Sequence, residues 1–124
     1  MLPDNIKYTK DHEWVLLDGN QITVGITDYA QSELGDIIFI EFPDKGTSFK
    51  RGESVGTIEA VKTVADIYCP ADGLVIEVNS SLENEPDLIN SDPYNNGWII
   101  KMEIKDKESI NKLLNKEQYL EVIS

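Results

Sequence analysis

The sequence contains an internal repeat in which a glycine turn leads into a short apolar strand. The first copy starts at Gly52 and the second at Gly73, and Lys62 stands midway between the two glycines. A strand occupies about 5–6 residues, so this interval holds a strand, a tight turn and a second strand. The repeat therefore predicts two related sets of strands packed face to face, with Lys62 at the tip of the connecting hairpin.

Apolar residues also alternate with other residues in four segments, which is the period of a half-buried strand. A turn at 18–20 joins the first of these segments to the one before it, as in a β-hairpin. Many short strands joined by Gly and Asp turns predict a mainly β fold, either a barrel or a sandwich. The alternating residues are Ile22, Val24 and Ile26; Ile38, Ile40 and Phe42; Leu74, Ile76 and Val78; and Trp98, Ile100, Met102 and Ile104.

Helical patterns are short and lie in few places. Thr27 is placed to cap a helix near 28–34, and Gly35 is placed to end it. Apolar residues at helical spacing predict two short amphipathic helices within 106–124. Residues 80–97 have no sustained period and are predicted to form a loop with a helical turn.

The domain organisation is predicted to be simple. A chain of 124 residues has the usual length of one domain, and no linker divides it. We therefore expect a single domain over 1–124, with the lysine hairpin at 52–78 and a C-terminal helical segment at 106–124.

Charge and cysteine content narrow the classes of function. Acidic residues outnumber basic ones by 23 to 11, which gives a formal net charge of −12. Such a surface repels phosphate, so the chain is not expected to bind nucleic acid or a membrane surface. Cys69 is the only cysteine, which excludes an internal disulfide and a multi-cysteine metal site. With no signal-peptide pattern, these features predict the cytoplasm, or the mitochondrial matrix for a processed form.

The residues around Lys62 form a recognisable motif. A lysine at a random turn is most often only a solvated side chain. Here, however, the hairpin resembles the lipoyl-attachment hairpin of the H-protein family of the glycine cleavage system, although that family usually has Ser at the position of Ala60. The motif consists of Glu59-Ala60-Val61-Lys62-Thr63, Asp66-Ile67-Tyr68 and Pro70-Ala71-Asp72-Gly73.

Three further blocks resemble the same family and occur in the family's order, so the resemblance extends over most of the chain. They are Tyr8-Thr9-Lys10-Asp11-His12-Glu13-Trp14; Val24-Gly25-Ile26-Thr27-Asp28-Tyr29-Ala30-Gln31 with Leu34-Gly35-Asp36; and Leu88-Ile89-Asn90-Ser91-Asp92-Pro93-Tyr94 with Gly97-Trp98.

The resemblance implies the barrel-sandwich hybrid fold of lipoyl and biotinyl domains, with extra terminal segments. Two related families are disfavoured by the residues themselves. Biotinyl domains place the lysine in Met-Lys-Met, whereas Val61 and Thr63 flank Lys62 here. Lipoyl domains of 2-oxoacid dehydrogenase acyltransferases usually have Asp-Lys at the hairpin.

The resemblance also implies that Lys62 carries covalently attached lipoate and that the protein is a non-catalytic carrier. In this family the lipoyl arm accepts the aminomethyl group from glycine decarboxylase, the P protein. The arm delivers that group to the folate-dependent aminomethyltransferase, the T protein, and dihydrolipoamide dehydrogenase, the L protein, reoxidises it. A separate enzyme attaches lipoate. The protein is expected to be a monomer that diffuses between these partners.

A further implication is a cleft in which the loaded arm is shielded from water. A carboxylate near a protonated amine offsets its desolvation, and the family positions that match Glu13 and Asp66 lie near the amine. Leu34 matches a position in the apolar part of the cleft. Glu59 stands three residues before Lys62 and either assists recognition by the lipoate-attaching enzyme or simply faces water.

Other chemically notable residues are expected to be structural. His12 has no second His or Cys cluster beside it and is predicted to pack or to form a hydrogen bond. Cys69 is predicted to be a small buried apolar residue. Trp14 and Trp98 lie on alternating patterns and are predicted to anchor the core.

A second function is compatible with the same lysine. An H-like protein could serve lipoate metabolism as a lipoyl donor, passing the group on Lys62 to other lipoyl domains. Both functions require Lys62, so the sequence does not separate them.

Overall fold

The computed structural model describes residues 5–124, which form two antiparallel sheets and several short helices. The strands are β1 (Lys7–Tyr8), β2 (Glu13–Asp18), β3 (Gln21–Ile26), β4 (Ile37–Glu41), β5 (Ser48–Phe49), β6 (Ser54–Ala60), β7 (Val64–Tyr68), β8 (Gly73–Val78) and β9 (Ile100–Ile104). The helices are α1 (Asp28–Leu34), α2 (Ser81–Asn84), α3 (Leu88–Ser91), α4 (Glu108–Asn111) and α5 (Lys116–Ile123).

The six-stranded sheet has the order β1-β2-β3-β9-β8-β5, and the three-stranded sheet has the order β4-β6-β7. The two copies of the internal repeat lie in different sheets, since β6 follows Gly52 and β8 begins at Gly73. Buried side chains of both sheets, including Ile58 and Val75, belong to one hydrophobic cluster. The predicted arrangement of two related strand sets is therefore confirmed.

The first predicted hairpin is also confirmed. Strands β2 and β3 pair from Glu13 with Ile26 to Asp18 with Gln21, and Gly19 has a positive φ of 64° in the two-residue turn between them. Close packing requires the second glycine of this hairpin, Gly25, because a Cβ there would lie 2.6 Å from the Trp14 indole nitrogen.

Two predicted strands exist, but each buries at least one residue outside the predicted alternation, although Ile40 is buried as predicted. In β4 the pairing register shifts between Ile37 and Phe39, so Ile37 and Ile40 are buried while Ile38 is exposed. In β8 a second shift follows Val75, which is fully buried instead of its neighbours. The prediction of strict alternation was wrong at both places because a bulge adds a residue and reverses the faces.

The predicted helices are confirmed, and the structure contains one more than was predicted. Thr27 accepts a hydrogen bond from the backbone of Ala30 at the start of α1, and Gly35 ends that helix with a φ of 79°. The loop at 80–97 contains two short helices, α2 and α3, where one helical turn was predicted. The two C-terminal helices are α4 and α5, and the second begins with a capping box between Asn115 and Gln118.

A smaller buried cluster attaches the C-terminal helix to the six-stranded sheet. It consists of Ile6, Tyr8, Trp14 and Tyr119, and the rings of Tyr8 and Tyr119 stack at 4.6 Å. Trp14 anchors this cluster as predicted. Trp98 is only half-buried and precedes β9, so its predicted place on that strand was wrong. None of the helices in residues 5–124 has the length and apolar character needed to cross a membrane.

Candidate functional site

Lys62 lies at the tip of the hairpin formed by β6 and β7. Glu59 pairs with Val64, and the Ala60 amide donates to the Thr63 carbonyl at 2.8 Å, which closes a tight connection. The Val61 amide donates to the Asp36 carbonyl at 3.0 Å and ties the tip to the residue before β4. Lys62 itself is exposed. Hydrogen bonds thus hold the backbone of the hairpin tip, while the Lys62 side chain is exposed to solvent.

A cleft of about 290 Å³ lies between helix α1 and the hairpin strands. It brings together two of the predicted site residues, the half-buried Leu34 and the exposed Asp66. Its walls are largely apolar and its edge carries three carboxylates. The lining residues are Asp11, His12, Ile26, Tyr29, Ala30, Glu33, Leu34, Ile58, Ala65 and Asp66.

Glu13 does not line this cleft. It lies in a neighbouring cavity of about 220 Å³, and Asp11 lines both. The Glu13 carboxylate is buried and accepts hydrogen bonds from Thr9 Oγ1 at 2.7 Å and from the Tyr68 amide at 3.0 Å. Burial raises its pKa to about 7 against the lowering effect of both hydrogen bonds, and the charge of Asp11 raises it slightly further.

The Asp66 side chain on β7 forms a hydrogen bond with a residue of the neighbouring strand β6. It pairs with Thr57 across β6 and β7, and Ser54 Oγ donates to its Oδ1 at 3.0 Å. The second carboxylate oxygen has no hydrogen bond to another of the described residues. Asp66 therefore has acceptor capacity left at the edge of the cleft.

Several cleft residues were not predicted from the sequence, of which His12 and Asp11 are the most notable. His12 has a left-handed backbone with φ 68°, and its Nδ1 lies 2.9 Å from the Tyr119 hydroxyl. Its ring also contacts Tyr29, with centroids 4.9 Å apart. The prediction that His12 packs or forms a hydrogen bond is confirmed, and the structure shows both. Its position beside Glu13 in one sequence block was the signal that could have placed it at the cleft.

Two further residues have clear environments. Glu59 is exposed on the outer face of the three-stranded sheet, opposite Phe39 and Val64. Cys69 is buried, as predicted, and its Sγ donates to the Ala71 carbonyl at 2.9 Å. Burial is the main cause that raises the pKa of the Cys69 thiol to about 11, which keeps it protonated at neutral pH. Within residues 5–124, no cluster of three or more His, Cys, Asp or Glu side chains could hold a metal ion.

The fold and this hairpin together define a carrier domain of the lipoyl and biotinyl type, in which a tight turn presents one exposed lysine. The glycine cleavage H-protein family model matches residues 6–124. The glycine cleavage system H protein of Staphylococcus saprophyticus is 44% identical over 122 residues, covering 98% of this chain and 97% of that protein. The crystal structure of a glycine cleavage system H protein from Mycobacterium marinum superposes with a TM-score of 0.88 at 35% identity, covering 97% of each chain. The chain therefore belongs to the glycine cleavage H-protein family.

Membership of this family confirms the predicted fold class, function and cofactor. Members are non-catalytic carriers of the glycine cleavage system, and they hold lipoate covalently on a lysine. They interact with the P, T and L proteins of that system. The mainly β architecture with two antiparallel sheets and a few short helices is that of the structural relative.

Proposed function

We propose that Lys62 is the lysine that carries the lipoyl group. One observation carries this proposal: Lys62 is exposed at the tip of the β6–β7 hairpin, three residues before Ala65, which lines the cleft. The closed turn holds the backbone, so the arm starts from a fixed point, and amide formation removes the lysine charge. When bound, the group supplies a dithiolane that carries the aminomethyl cargo and is oxidised and reduced.

The cleft fits such an arm. Leu34, Ala65 and Ile58 offer apolar surface to its hydrocarbon chain, which excludes water from it. Asp66 and Asp11 lie at the cleft where a protonated amine would need a counter-charge. We therefore propose that these residues bind the loaded arm between visits to the partner enzymes.

Glu13 has a different part in this proposal, because it lies in the adjoining cavity that Asp11 also lines. Its carboxylate is buried with a pKa of about 7, so a cation at the junction of the two cavities would favour its ionised form. We propose that Glu13 supplies an additional, buried negative charge to an amine that reaches past Asp11.

Intact mass spectrometry tests the attachment site. The protein produced in cells supplied with lipoate should gain the mass of one lipoyl group, and Lys62→Arg should abolish the gain. Lys45→Arg is the matched control, because Lys45 is also an exposed lysine and lies between β4 and β5. Unmodified wild-type protein, in cells that modify a known lipoyl domain, would exclude Lys62 as a carrier.

Hydrolysis of the loaded arm tests the cleft. Glu13→Gln and Asp66→Asn remove charge with little change in shape, and each should speed release of the amine by about threefold or more. Glu41→Gln is the control, because Glu41 lies in the same cross-strand row as Asp66, through Thr57, but does not line the cleft. Equal hydrolysis rates in all four proteins would exclude a role of Glu13 and Asp66 in protecting the arm.

Two finer assignments complete the proposal. Glu59 is exposed three residues before Lys62, and we propose that the lipoate-attaching enzyme recognises it. Glu59→Gln should then lower the lipoylation rate without lowering stability. We also propose a cytoplasmic location, supported by the bacterial source of the relatives. Recovery of the lipoylated protein with an envelope fraction would contradict that location.

A further inference from the structure

Large apolar side chains that are exposed in residues 5–124 fall into two groups. One group is Leu120 and Val122 on α5. The other surrounds the lysine hairpin and consists of Ile38, Phe39, Val61 and Val64, which are 50%, 56%, 68% and 58% exposed. We call these four residues the hairpin patch.

The sheet register shows why these residues share one surface. Phe39 pairs with Glu59 and Glu59 pairs with Val64, so the three side chains form a row on one face of the sheet. The adjacent row, Ile40 and Ile58, is buried on the opposite face. The hairpin patch therefore lies on the outer face, at the end of the sheet that carries Lys62.

The other two residues of the hairpin patch, Ile38 and Val61, are exposed because the backbone is irregular at both positions. The register shift between Ile37 and Phe39 exposes Ile38 together with Phe39, where a regular strand would bury one of them. Val61 is next to Lys62, and its amide is held by the Asp36 carbonyl. A bulge and a tied turn thus present apolar surface on a chain with a net charge of −12.

The acidic residues around the patch indicate the charge of its partner. Glu59 lies within the row, Glu41 is the last residue of β4, and the Asp36 carbonyl accepts from the Val61 amide at the hairpin tip. All three acidic residues are exposed. A complementary surface is apolar where it meets Phe39 and Val64 and carries basic groups, one of them opposite Glu59 between these two residues.

The length of the lysine side chain indicates which partner this is. Unmodified Lys62 places its amine only four carbons from the backbone, so an enzyme that acylates it must touch the hairpin itself. Enzymes that use the finished arm meet its sulfur atoms much farther out. We propose that the hairpin patch is the docking surface for the enzyme that attaches lipoate, which rests on the proposed lipoylation of Lys62.

The reaction at this surface is an acyl transfer. The deprotonated Lys62 amine attacks the carbonyl carbon of an activated lipoyl donor, a mixed anhydride or thioester bound by the enzyme. The new C–N bond replaces the bond to the leaving group, which departs with its electron pair, and the amine nitrogen loses a proton. The hairpin patch takes no part in this chemistry and acts by binding the enzyme.

The test measures lipoylation of the purified apo protein by a lipoate–protein ligase with lipoate and ATP. Phe39→Ser combined with Val64→Thr keeps residues that strands tolerate while removing apolar surface. We expect KM for the apo protein to rise about tenfold, with kcat nearly unchanged. The matched control, Leu120→Ser with Val122→Thr, removes the other exposed apolar pair and should leave KM unchanged. Unfolding midpoints in urea verify that both variants are folded.

A second measurement identifies the occupant. Prolonged incubation with excess ligase should fully lipoylate the Phe39→Ser, Val64→Thr variant. Dihydrolipoamide dehydrogenase should then oxidise the reduced arm of this variant at the same rate as that of the wild type. Unchanged KM in the ligase reaction overturns the proposal, as does a defect confined to the dehydrogenase reaction. Failure of the ligase to modify the wild type instead rejects the lipoylation of Lys62, which distinguishes the two hypotheses.

Discussion

The hydroxyl of Tyr119 lies 2.9 Å from Nδ1 of His12, although the two residues are separated by 107 positions in the chain. The same hydroxyl lies 2.7 Å from Oγ1 of Thr27, the residue that caps α1. Burial is the main reason that the pKa of Tyr119 is raised to about 12. The Tyr119 hydroxyl thus connects helix α5 to His12, which lines the cleft, and to Thr27 at the start of helix α1.

Replacing Tyr119 with Phe should destabilise the protein. The change removes both hydrogen bonds and leaves Thr27 Oγ1 buried with one partner fewer, at a cost of about 1–2 kcal/mol. Urea denaturation followed by tryptophan fluorescence measures this. Leu120→Ala is the control from the same helix, where exposure limits the change to about 0.5 kcal/mol. Equal stability of Tyr119→Phe and wild type would show that the hydroxyl contributes nothing.

Glu13 should make the stability of the protein depend on pH. Its pKa is about 7 in the folded state and near the ordinary 4.5 when unfolded, so the folded state binds more protons between these values. The contribution of Glu13 to the free energy of unfolding therefore falls as pH rises from 4.5 to 7 and stays constant above pH 7. The loss is on the order of 3 kcal/mol.

Comparison with Glu13→Gln isolates this carboxylate from the other acidic groups. The amide accepts from Tyr68 and does not titrate, so the variant should gain stability relative to wild type between pH 5 and pH 8. Unfolding midpoints of both proteins at the two pH values provide the measurement. Parallel stability curves would mean that Glu13 titrates alike in the folded and unfolded states.

Much of the hairpin was predictable because its signals are local. Gly52, Gly73 and the strand length placed Lys62 at a tip, and Thr27 and Gly35 placed both ends of α1. The faces of β4 and β8 were not predictable in this way. Each contains a bulge at the register shift, and a bulge depends on the neighbouring strand as much as on its own sequence.

The cleft depended still more on tertiary structure. Leu34 and Asp66 come together only because α1 and the edge strand β7 line the same cleft. Glu13 lines the other cavity, although His12 beside it lines the cleft. The left-handed backbone of His12 turns the chain at this point. The sequence pattern does not predict that turn, because a positive φ is uncommon for a residue other than glycine.

Gly25→Ala should be strongly destabilising. The new methyl carbon would lie 2.6–2.8 Å from three atoms of the Trp14 indole, whose nitrogen also donates to the Pro93 carbonyl at 2.9 Å. Moving the indole would break that hydrogen bond and disturb the smaller cluster, at a cost of about 2–4 kcal/mol. A thermal unfolding scan measures the loss. Gly46→Ala, which adds a methyl group in open space but at a positive φ of 86°, separates backbone strain from this steric clash and should cost about 1 kcal/mol.

The negative charge of the protein should speed its encounters with partner enzymes. A net charge of −12 on 124 residues produces a field that extends over the Debye length, which shrinks from about 30 Å at 0.01 M salt to about 3 Å at 1 M. We expect kcat/KM of dihydrolipoamide dehydrogenase for the reduced, lipoylated protein to fall at least about tenfold over this range. Free dihydrolipoamide is the control, because it is neutral and reports only the effect of salt on the enzyme. If both substrates responded equally to salt, the protein's charge would have no part in association.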